Sequence, residues 1–457
     1  MGEQVQAYLK TVQEQIRWKR ARPVLALELE RHLADQTEAF QAEGQDEDTA
    51  VRLALEDMGD PVELGAELDR VHRPRPQWGL LGLTILMSCA GAFLRLFLTN
   101  GWVSKWESAP IRTTLALGLG IVCLLGAYFL DISRLARYAG RIYLAVLIIG
   151  YSFFAADVIL GMSLFDSQSF SHGVPYYLVL LFPIVHAFWV YWCRGKGWMG
   201  FTLSWAGIFP LAILSAWWSV SVTNGIVLMA AGIVVILYAA WQSWFGLRRW
   251  QGFSAALVIT IGFVILNVWW VLHHTSRFLY VVQPKLDHGV VGYFGLRLRE
   301  FLQNISLVQS SGTGIKTTNY SGFVIGLDEE LGRDFFPVIL AARWGWLSFG
   351  TLLAVTTALV LWLLVRGLRQ THRLGKLIVF VTSLSLGFRA LLSVAMNFGL
   401  LFLSTGFPFL GGNAFMVMDM TLTGLALSVF RGDSIAREEF TPPPRRIRRI
   451  RLMVEYR

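Results

Sequence analysis

Long apolar segments with few charges recur along this chain and limit its fold more than any other feature. An apolar run of about 18 or more residues is long enough to cross a bilayer as a helix. Only 16% of the residues are charged, whereas a soluble chain would carry about a quarter. The sequence therefore predicts an all-α integral membrane protein. Its ten transmembrane helices are expected near 78–98, 112–130, 141–162, 175–193, 201–218, 225–244, 254–272, 336–365, 376–403 and 412–430.

Residues 1–75 are polar and charged, which predicts a separate soluble bundle of three or four helices and no cleavable signal peptide. Leu25, Leu29 and Leu33 recur at helical spacing, and Gly44 predicts a break after them. The run from Asp60 to Glu63 is typical of a helix start, with a capping Asp followed by Pro. This region resembles the permease-prefix domains that precede bacterial membrane proteins. The simplest interpretation is a cytoplasmic helical appendage without a functional site.

The net charge of +9 would suggest nucleic acid as the partner of a soluble protein, but here the loops explain it. Positive residues concentrate in cytoplasmic loops. The short loops on the side of the N-terminus carry Arg134, Arg137, Arg141, Arg194, Lys196, Arg248, Arg249, Arg366, Arg369, Arg373 and Lys376. Those on the opposite side carry only Lys105 and Arg112. We therefore expect no nucleic-acid partner and a bacterial cytoplasmic membrane protein with both termini in the cytoplasm.

The ten-helix membrane domain is placed at residues 78–430, and residues 431–457 form a basic cytoplasmic tail. The run of arginines from Arg445 to Arg451 fits the same orientation. Binding of this tail to anionic membrane lipids would explain its charge equally well. Both interpretations stay open.

One connection, from His273 to Asp334, is far longer than the others and is expected on the outer surface. Loops of this length are usually functional or disordered, and this one keeps enough aromatic residues to pack. It ends at Asp334, directly before the eighth predicted span. We therefore regard this loop and the start of the following helix as the candidate functional centre.

Four polar residues fall inside predicted spans: Arg95, Asp157, Arg389 and Asn397. Ionisable groups are costly in a bilayer and usually face a cavity or a partner. An ion pair between Asp157 and either Arg389 or Arg95 is one interpretation, and such a pair could be purely structural. Arg95 lies near the outer end of its span, where it could also extend to the interface.

Ten spans, cytoplasmic termini and a long outer loop between the seventh and eighth spans resemble the SEDS family, the cell-shape, elongation, division and sporulation proteins of RodA and FtsW type. The stretch GRDFFPVILAARWGWLSFGTLL, from Gly332 to Leu353, is similar to the family segment that enters the eighth helix. The catalytic aspartate of the family falls on Asp334 and a family glycine on Gly345. The Glu pair of the family falls on Ala342 and Arg343, which is a departure.

A second stretch, from Asn397 to Val429, resembles the family pattern of Asn, Thr-Gly and Pro-Phe leading into the last helix. Asn397, Thr405 and Phe409 fit this pattern, with about three residues fewer between Asn397 and Thr405 than in the family. The Gln-Pro-Ser-Glu and Gln-Pro-Asp-x-Gly elements of the family are not found. The resemblance covers residues 78–430 and marks this chain as a divergent relative.

The resemblance implies a glycosyltransferase that polymerises undecaprenyl-linked lipid II beside a class B penicillin-binding protein, with Asp334 as general base. The diphosphate leaving group requires cations, supplied by side chains or by a divalent metal ion such as Mg²⁺ or Mn²⁺. The predicted substrate-binding residues are Arg333, Arg343, Lys316, Asn397 and Thr405. Two alternatives stay open, a non-catalytic scaffold or regulator of a penicillin-binding protein and a transporter of lipid-linked precursors.

Overall fold

A computed structural model of the protein describes residues 2–19, 21–72, 76–99, 110–160, 178–218, 222–274, 298, 302–303, 305–308, 316–318, 324–326, 335–370, 372–400 and 406–431. The chain divides into two compact units, one that comprises Met1–Pro76 together with Phe430–Arg457 and one that spans Gln77–Val429.

The N-terminal unit consists of helices α1 (Glu3–Gln15), α2 (Arg22–Ala42), α3 (Glu47–Asp57) and α4 (Pro61–His72). Its core is formed by apolar residues spaced at helical intervals, such as Val5, Leu9 and Val12 on α1 and Leu25, Leu29 and Leu33 on α2. Each helix therefore buries one apolar stripe, as amphipathic helices in a small bundle do.

The helix boundaries in this unit follow from local chemistry. Gly44 follows shortly after the last residue of α2, and its φ of 94° is a left-handed conformation that does not continue a helix. The Asp46 side chain accepts a hydrogen bond from the Thr49 backbone at the start of α3, and hydrogen bonding to Thr49 lowers the pKa of Asp46. Asp60 accepts from the Val62 N–H at 3.2 Å, directly before Pro61 begins α4. The predicted helix start at Asp60 and Pro61 is confirmed.

The helices of the membrane unit are α5 (Trp78–Thr99), α6 (Pro110–Phe129), α7 (Ile132–Arg137), α8 (Ala139–Leu160), α9 (Phe182–Cys193), α10 (Gly197–Ala206), α11 (Ile208–Trp218), α12 (Val222–Trp241), α13 (Arg249–His274), α14 (Phe336–Trp344), α15 (Trp346–Leu368), α16 (Arg373–Asn397) and α17 (Asn413–Val429). A 3₁₀ turn, Val179–Leu181, precedes α9.

Within the described residues, seven helical segments are long and apolar enough to cross a membrane. Three shorter apolar helices, Trp78–Leu94, Val179–Cys193 and Asn413–Val429, lie at three further predicted spans. The protein is therefore a multi-pass helical membrane protein. The count of ten crossings stays a prediction.

The interior of the membrane unit is built around α9, α12 and α16, which pack against one another. Almost every residue of α9 is buried, as expected for a helix that is apolar on all sides. α6 and α17 approach closely, because Gly120 faces the Met420 side chain and Gly424 faces the Leu124 carbonyl oxygen. Small residues at such contacts are typical of helix pairs in membranes.

The predicted span at 336–365 is wrong in one respect, because the helix breaks at Gly345. This residue has φ 85° and ψ 173°, a conformation that is essentially restricted to glycine. The break leaves α14 as a separate nine-residue helix, and the membrane-spanning segment begins at Trp346.

The long connection contains a short antiparallel hairpin, which the prediction of an all-α chain did not include. Strand β1 (Lys316–Thr318) pairs with β2 (Val324–Gly326), with Thr317 opposite Ile325.

Candidate active site

Two of the six side chains predicted for the active site lie in the described part of the chain. Arg343 lies in the last turn of α14, and Asn397 ends α16. The other four side chains lie outside the described residues: Lys316 (whose backbone begins β1), Arg333, Asp334 and Thr405. Within the described residues, the candidate site consists of α14 and its surroundings.

α14 is short but deeply buried. Every residue from Phe336 to Ala342 is buried. Pro337 in the first turn suits a helix start, since its fixed φ fits the helix and it has no N–H to leave unpaired. Asp334 comes two residues before Phe336 in the sequence.

Asn397 fixes the N-terminal end of α14. Its Oδ1 accepts a hydrogen bond from the Val338 N–H at 3.0 Å, and its Nδ2 donates to the Ser393 carbonyl oxygen at 2.7 Å. Val338 is the third residue of α14, so its N–H has no acceptor within the helix. The buried Asn397 thus caps α14 from the end of α16. Its predicted contact with substrate stays a prediction.

The start of α15, directly after α14, is bonded to a segment of the long loop, residues 305–308. The Trp346 N–H donates to the Ser306 carbonyl oxygen at 3.0 Å, and the Leu347 N–H donates to the Leu307 carbonyl oxygen at 3.1 Å. The indole Nε1 of Trp346 donates to the Ile305 carbonyl oxygen at 3.1 Å. We call this set of bonds the loop clamp. It requires a glycine at Gly345, because a Cβ there would lie 2.4 Å from the Leu307 oxygen.

The two positions that carry the Glu pair in the SEDS family have a different character here. Ala342 is fully buried in an apolar cluster with Val338 and Phe349. Arg343 is half-buried and interacts within the protein. A helix of nine residues is about 13 Å long, and side chains lean toward the helix N-terminus. At the two positions of the acidic pair, this helix therefore has the apolar Ala342 and the positively charged Arg343.

Arg389 forms a buried ion pair with Asp419, a partner that was not considered from the sequence. Nη1 of Arg389 donates to Oδ1 of Asp419, and Nη2 lies 3.4 Å from Oδ2. Nη2 also donates to the Gly406 carbonyl oxygen at 3.1 Å. The side chains of Asp157 and Arg95 lie outside the described residues. The pair joins α16 to α17.

Asp419 also holds the turn that precedes α17. Its Oδ2 accepts a hydrogen bond from the Phe409 N–H at 2.9 Å. Phe409 has a φ of 62°, a strained conformation for a residue with a bulky side chain. The Phe409 carbonyl oxygen lies against Gly91 of α5, where a Cβ would be only 2.5 Å away. Sequence analysis missed Asp419, although a carboxylate inside an apolar helix is a signal for a partner.

An apolar groove of about 340 Å³ lies between α5, α14, α15 and the turn at 408–410. Its wall includes Gly91, Leu94, Leu340, Trp344, Leu352 and Phe409. The groove therefore adjoins both the buried helix α14 and the turn held by Asp419. Its lining suits a hydrocarbon chain rather than a polar ligand.

No group of three or more His, Cys, Asp or Glu side chains converges as a metal site among the described residues. The acidic residues nearest to α14 in sequence, including Asp334, lie outside them. The predicted divalent ion therefore stays a prediction.

No family model and no curated protein matches the sequence. Among solved structures, the chain is similar to one from a study of the structural coordination of polymerization and crosslinking by a peptidoglycan synthase complex. The two share 18% identity with a TM-score of 0.55, and the match covers 78% of this chain and 98% of that chain. Thermus thermophilus rod shape determining protein RodA shares 17% identity with a TM-score of 0.48, over 78% of this chain and 97% of RodA.

The likeness to the first of these structures concerns the fold, since identity is low. It extends over nearly the whole length of the solved chain, so it includes the arrangement of helices and is not limited to a single segment. The chain therefore shares its fold with a solved chain from a study of a peptidoglycan synthase complex, which agrees with the fold that the sequence resemblance predicted.

Proposed function

We propose that this protein is a glycosyltransferase of cell wall synthesis that polymerises lipid II, working beside a class B penicillin-binding protein. The observation that carries the proposal is the fold shared over 98% of the length of a chain from a peptidoglycan synthase complex. The sequence match at Asp334 and the fixed position of α14 support it. Cell division, cell shape and sporulation are the processes in which SEDS proteins act.

In the proposed reaction, the Asp334 carboxylate accepts the proton of the acceptor sugar hydroxyl. The hydroxyl oxygen then forms a bond to the anomeric carbon of the donor, while the bond from that carbon to the lipid diphosphate breaks. Lys316, Arg333 and Arg343 are the proposed contacts of the departing diphosphate, whose negative charge they would stabilise.

The architecture around α14 suits this chemistry, because a general base acts only within hydrogen-bond reach of its proton. Asn397 at one end of α14 and the loop clamp at the other end restrict its movement. The neighbouring apolar groove offers space for part of the isoprenoid chain of a lipid-linked sugar.

A second candidate function is that of a non-catalytic scaffold for a penicillin-binding protein. It is favoured by Ala342, which is fully buried, and by Arg343, because the SEDS family places an acidic pair at these positions. Under this proposal the fold is kept for partner binding, and the glycosyltransferase site has lost its two acidic side chains.

The variant Asp334→Asn separates these candidates, since it keeps the size of the side chain but removes the base. We expect polymerisation of lipid II by the purified protein with its partner to fall by about 10²–10⁴-fold. Asp328→Asn, in the same loop, is the matched control and should keep near wild-type activity. Polymerisation at the wild-type rate by Asp334→Asn would refute the catalytic role.

Two further outcomes distinguish the alternatives. A wild-type protein that binds a class B penicillin-binding protein but never polymerises lipid II would favour the scaffold. Movement of fluorescent lipid-linked precursor across liposome membranes by the reconstituted protein would favour the transporter.

A further inference from the structure

Two loops at one end of the membrane unit are joined by backbone hydrogen bonds. One, residues 194–197, runs from the end of α9 to the first residue of α10, and the other, residues 242–248, connects α12 to α13. The Gly195 N–H donates to the Trp244 carbonyl oxygen, and the Gly197 N–H donates to the Phe245 carbonyl oxygen, both at 2.8 Å. We call these segments the paired loops. Their relative position is fixed by the backbone, so the side chains that they carry form one surface.

The paired loops and the first residue of α13 carry four cations: Arg194, Lys196, Arg248 and Arg249. Aromatic rings at the ends of the preceding helices hold three of them. The Lys196 ammonium lies 2.6 Å from the centroid of the Trp192 ring, and the Arg249 guanidinium lies 3.6 Å from that of Trp241. Arg194 lies 3.8 Å from the centroid of Tyr191. Such cation–π contacts keep the positive charges close to the surface of the helices.

Negative charge is missing from this part of the chain. The sequence contains no Asp or Glu between Asp166 and Asp287. In the described part of the protein, no ion pair engages Lys196, Arg248 or Arg249. Helix α8 adds a further cation, Arg141. The neighbouring residue, Gly140, faces the Trp192 ring, so this part of α8 lies close to the paired loops. Partial burial lowers the pKa of Lys196, and a bound anion would oppose that effect.

Exposed tryptophans place this surface at the level of lipid headgroups. Trp192, Trp198 and Trp250 are 42%, 52% and 70% exposed. Tryptophan is enriched where a membrane meets water, because its ring is apolar and its N–H is polar. The paired loops lie at the beginning of α13, whereas the long loop that leads to Asp334 follows the other end of this helix.

We propose that the paired loops form a binding site for the phosphate headgroup of an anionic phospholipid. Arginine binds phosphate oxygens through paired N–H groups, and lysine supplies a compact point charge. Basic pockets between transmembrane helices are suited to such headgroups. The surrounding exposed tryptophans favour a phosphate attached to a membrane lipid over free phosphate. This site is separate from the proposed glycosyltransferase centre.

The test compares two triple variants of the full-length protein. Lys196→Gln/Arg248→Gln/Arg249→Gln removes three cations from the proposed site. Arg366→Gln/Arg369→Gln/Lys376→Gln removes the same charge from the end of α15, the following loop and the first turn of α16, and is the matched control. Native mass spectrometry of the purified proteins would measure the binding of phosphatidylglycerol and of phosphatidylcholine with identical acyl chains.

We expect the first variant to lose affinity for phosphatidylglycerol by about fivefold per cation removed. The control variant should stay close to the wild type, and binding of phosphatidylcholine should not change in either. Equal loss of phosphatidylglycerol binding in both variants would overturn the site, because it would indicate only the general field of the basic loops.

Two additional measurements keep the proposal testable. Glycerol phosphate, added at the lipid concentration, should fail to displace the lipid, and displacement would overturn the assignment to a membrane lipid. If the triple variant does not fold, the single variant Arg248→Gln replaces it, since Arg248 is exposed and its loss should not disturb packing. Unchanged phosphatidylglycerol binding by a folded Arg248→Gln protein would refute a role for this residue and the proposed site with it.

Discussion

At the scale of single residues, Gly345 is the position in the described part of the candidate site where the backbone restricts the residue type most. Replacement by alanine would force a side chain into a backbone conformation that glycine alone tolerates, and the new Cβ would meet the Leu307 oxygen at 2.4 Å. We expect Gly345→Ala to destabilise the protein by about 1–3 kcal/mol, with a lower midpoint in thermal unfolding of the purified protein.

The matched control for this variant is Gly350→Ala, five residues further along α15. A Cβ at Gly350 meets nothing within 4 Å, and alanine favours helix over glycine by about 1 kcal/mol. This variant should therefore unfold at the same temperature as the wild type or higher. Equal stability of the two variants would refute the loop clamp as described here.

The residue scale also shows a limit of prediction from sequence. The resemblance placed a family glycine at Gly345, but hydropathy alone favoured a continuous span over 336–365. The hydropathy of a segment is summed over its side chains, so it contains no information on the φ angle of a single residue. The bond from Val338 to Asn397 could not be predicted either, because it joins residues that are 59 positions apart.

At the scale of elements, the pair of Arg389 and Asp419 holds α16, α17 and the turn before α17 together. Arg389→Met leaves a buried carboxylate without its partner, which typically costs about 3–5 kcal/mol. The double variant Arg389→Met/Asp419→Asn removes both charges and keeps an acceptor for the Phe409 N–H. We expect the double variant to unfold at a higher temperature than the single variant.

This comparison tests the ion pair itself. A double variant that is less stable than Arg389→Met would contradict the buried pair as the origin of the effect. The partner of Arg389 could not be identified from the sequence. A charged side chain in a bilayer needs a partner because it is costly to bury alone, but this argument applies equally to Asp157 and to Asp419. Helix packing, which depends on distant parts of the chain, makes that selection.

At the scale of the whole molecule, the distribution of Arg and Lys predicts the orientation of the chain in the membrane. After Cys89, Cys123 and Cys193 have been replaced by serine, single cysteines at Gln41 and Glu300 report the two sides. A membrane-impermeant maleimide should label Glu300→Cys in intact cells and Gln41→Cys only after lysis. Labelling of Gln41→Cys in intact cells would refute the topology.

Most of the helical architecture could be predicted because long apolar runs and basic loops are local features of the sequence. Helices occur at the predicted spans, and the fold is shared with a chain of a peptidoglycan synthase complex. The candidate site was harder to predict. Its buried cap at Asn397, the strained turn at Phe409 and the carboxylate of Asp419 depend on contacts between distant segments.

The turn at Phe409 has a consequence for how this protein can vary during evolution. Its strained backbone is held by Asp419, whose charge is balanced by Arg389, and its carbonyl oxygen fits only against Gly91. Gly91, Arg389 and Asp419 cannot change alone without leaving a collision, an unpaired charge or an unsatisfied N–H. We therefore expect Arg389 and Asp419 to be replaced together in related chains, with an acceptor for the Phe409 N–H kept and glycine retained at position 91 wherever the turn keeps this path.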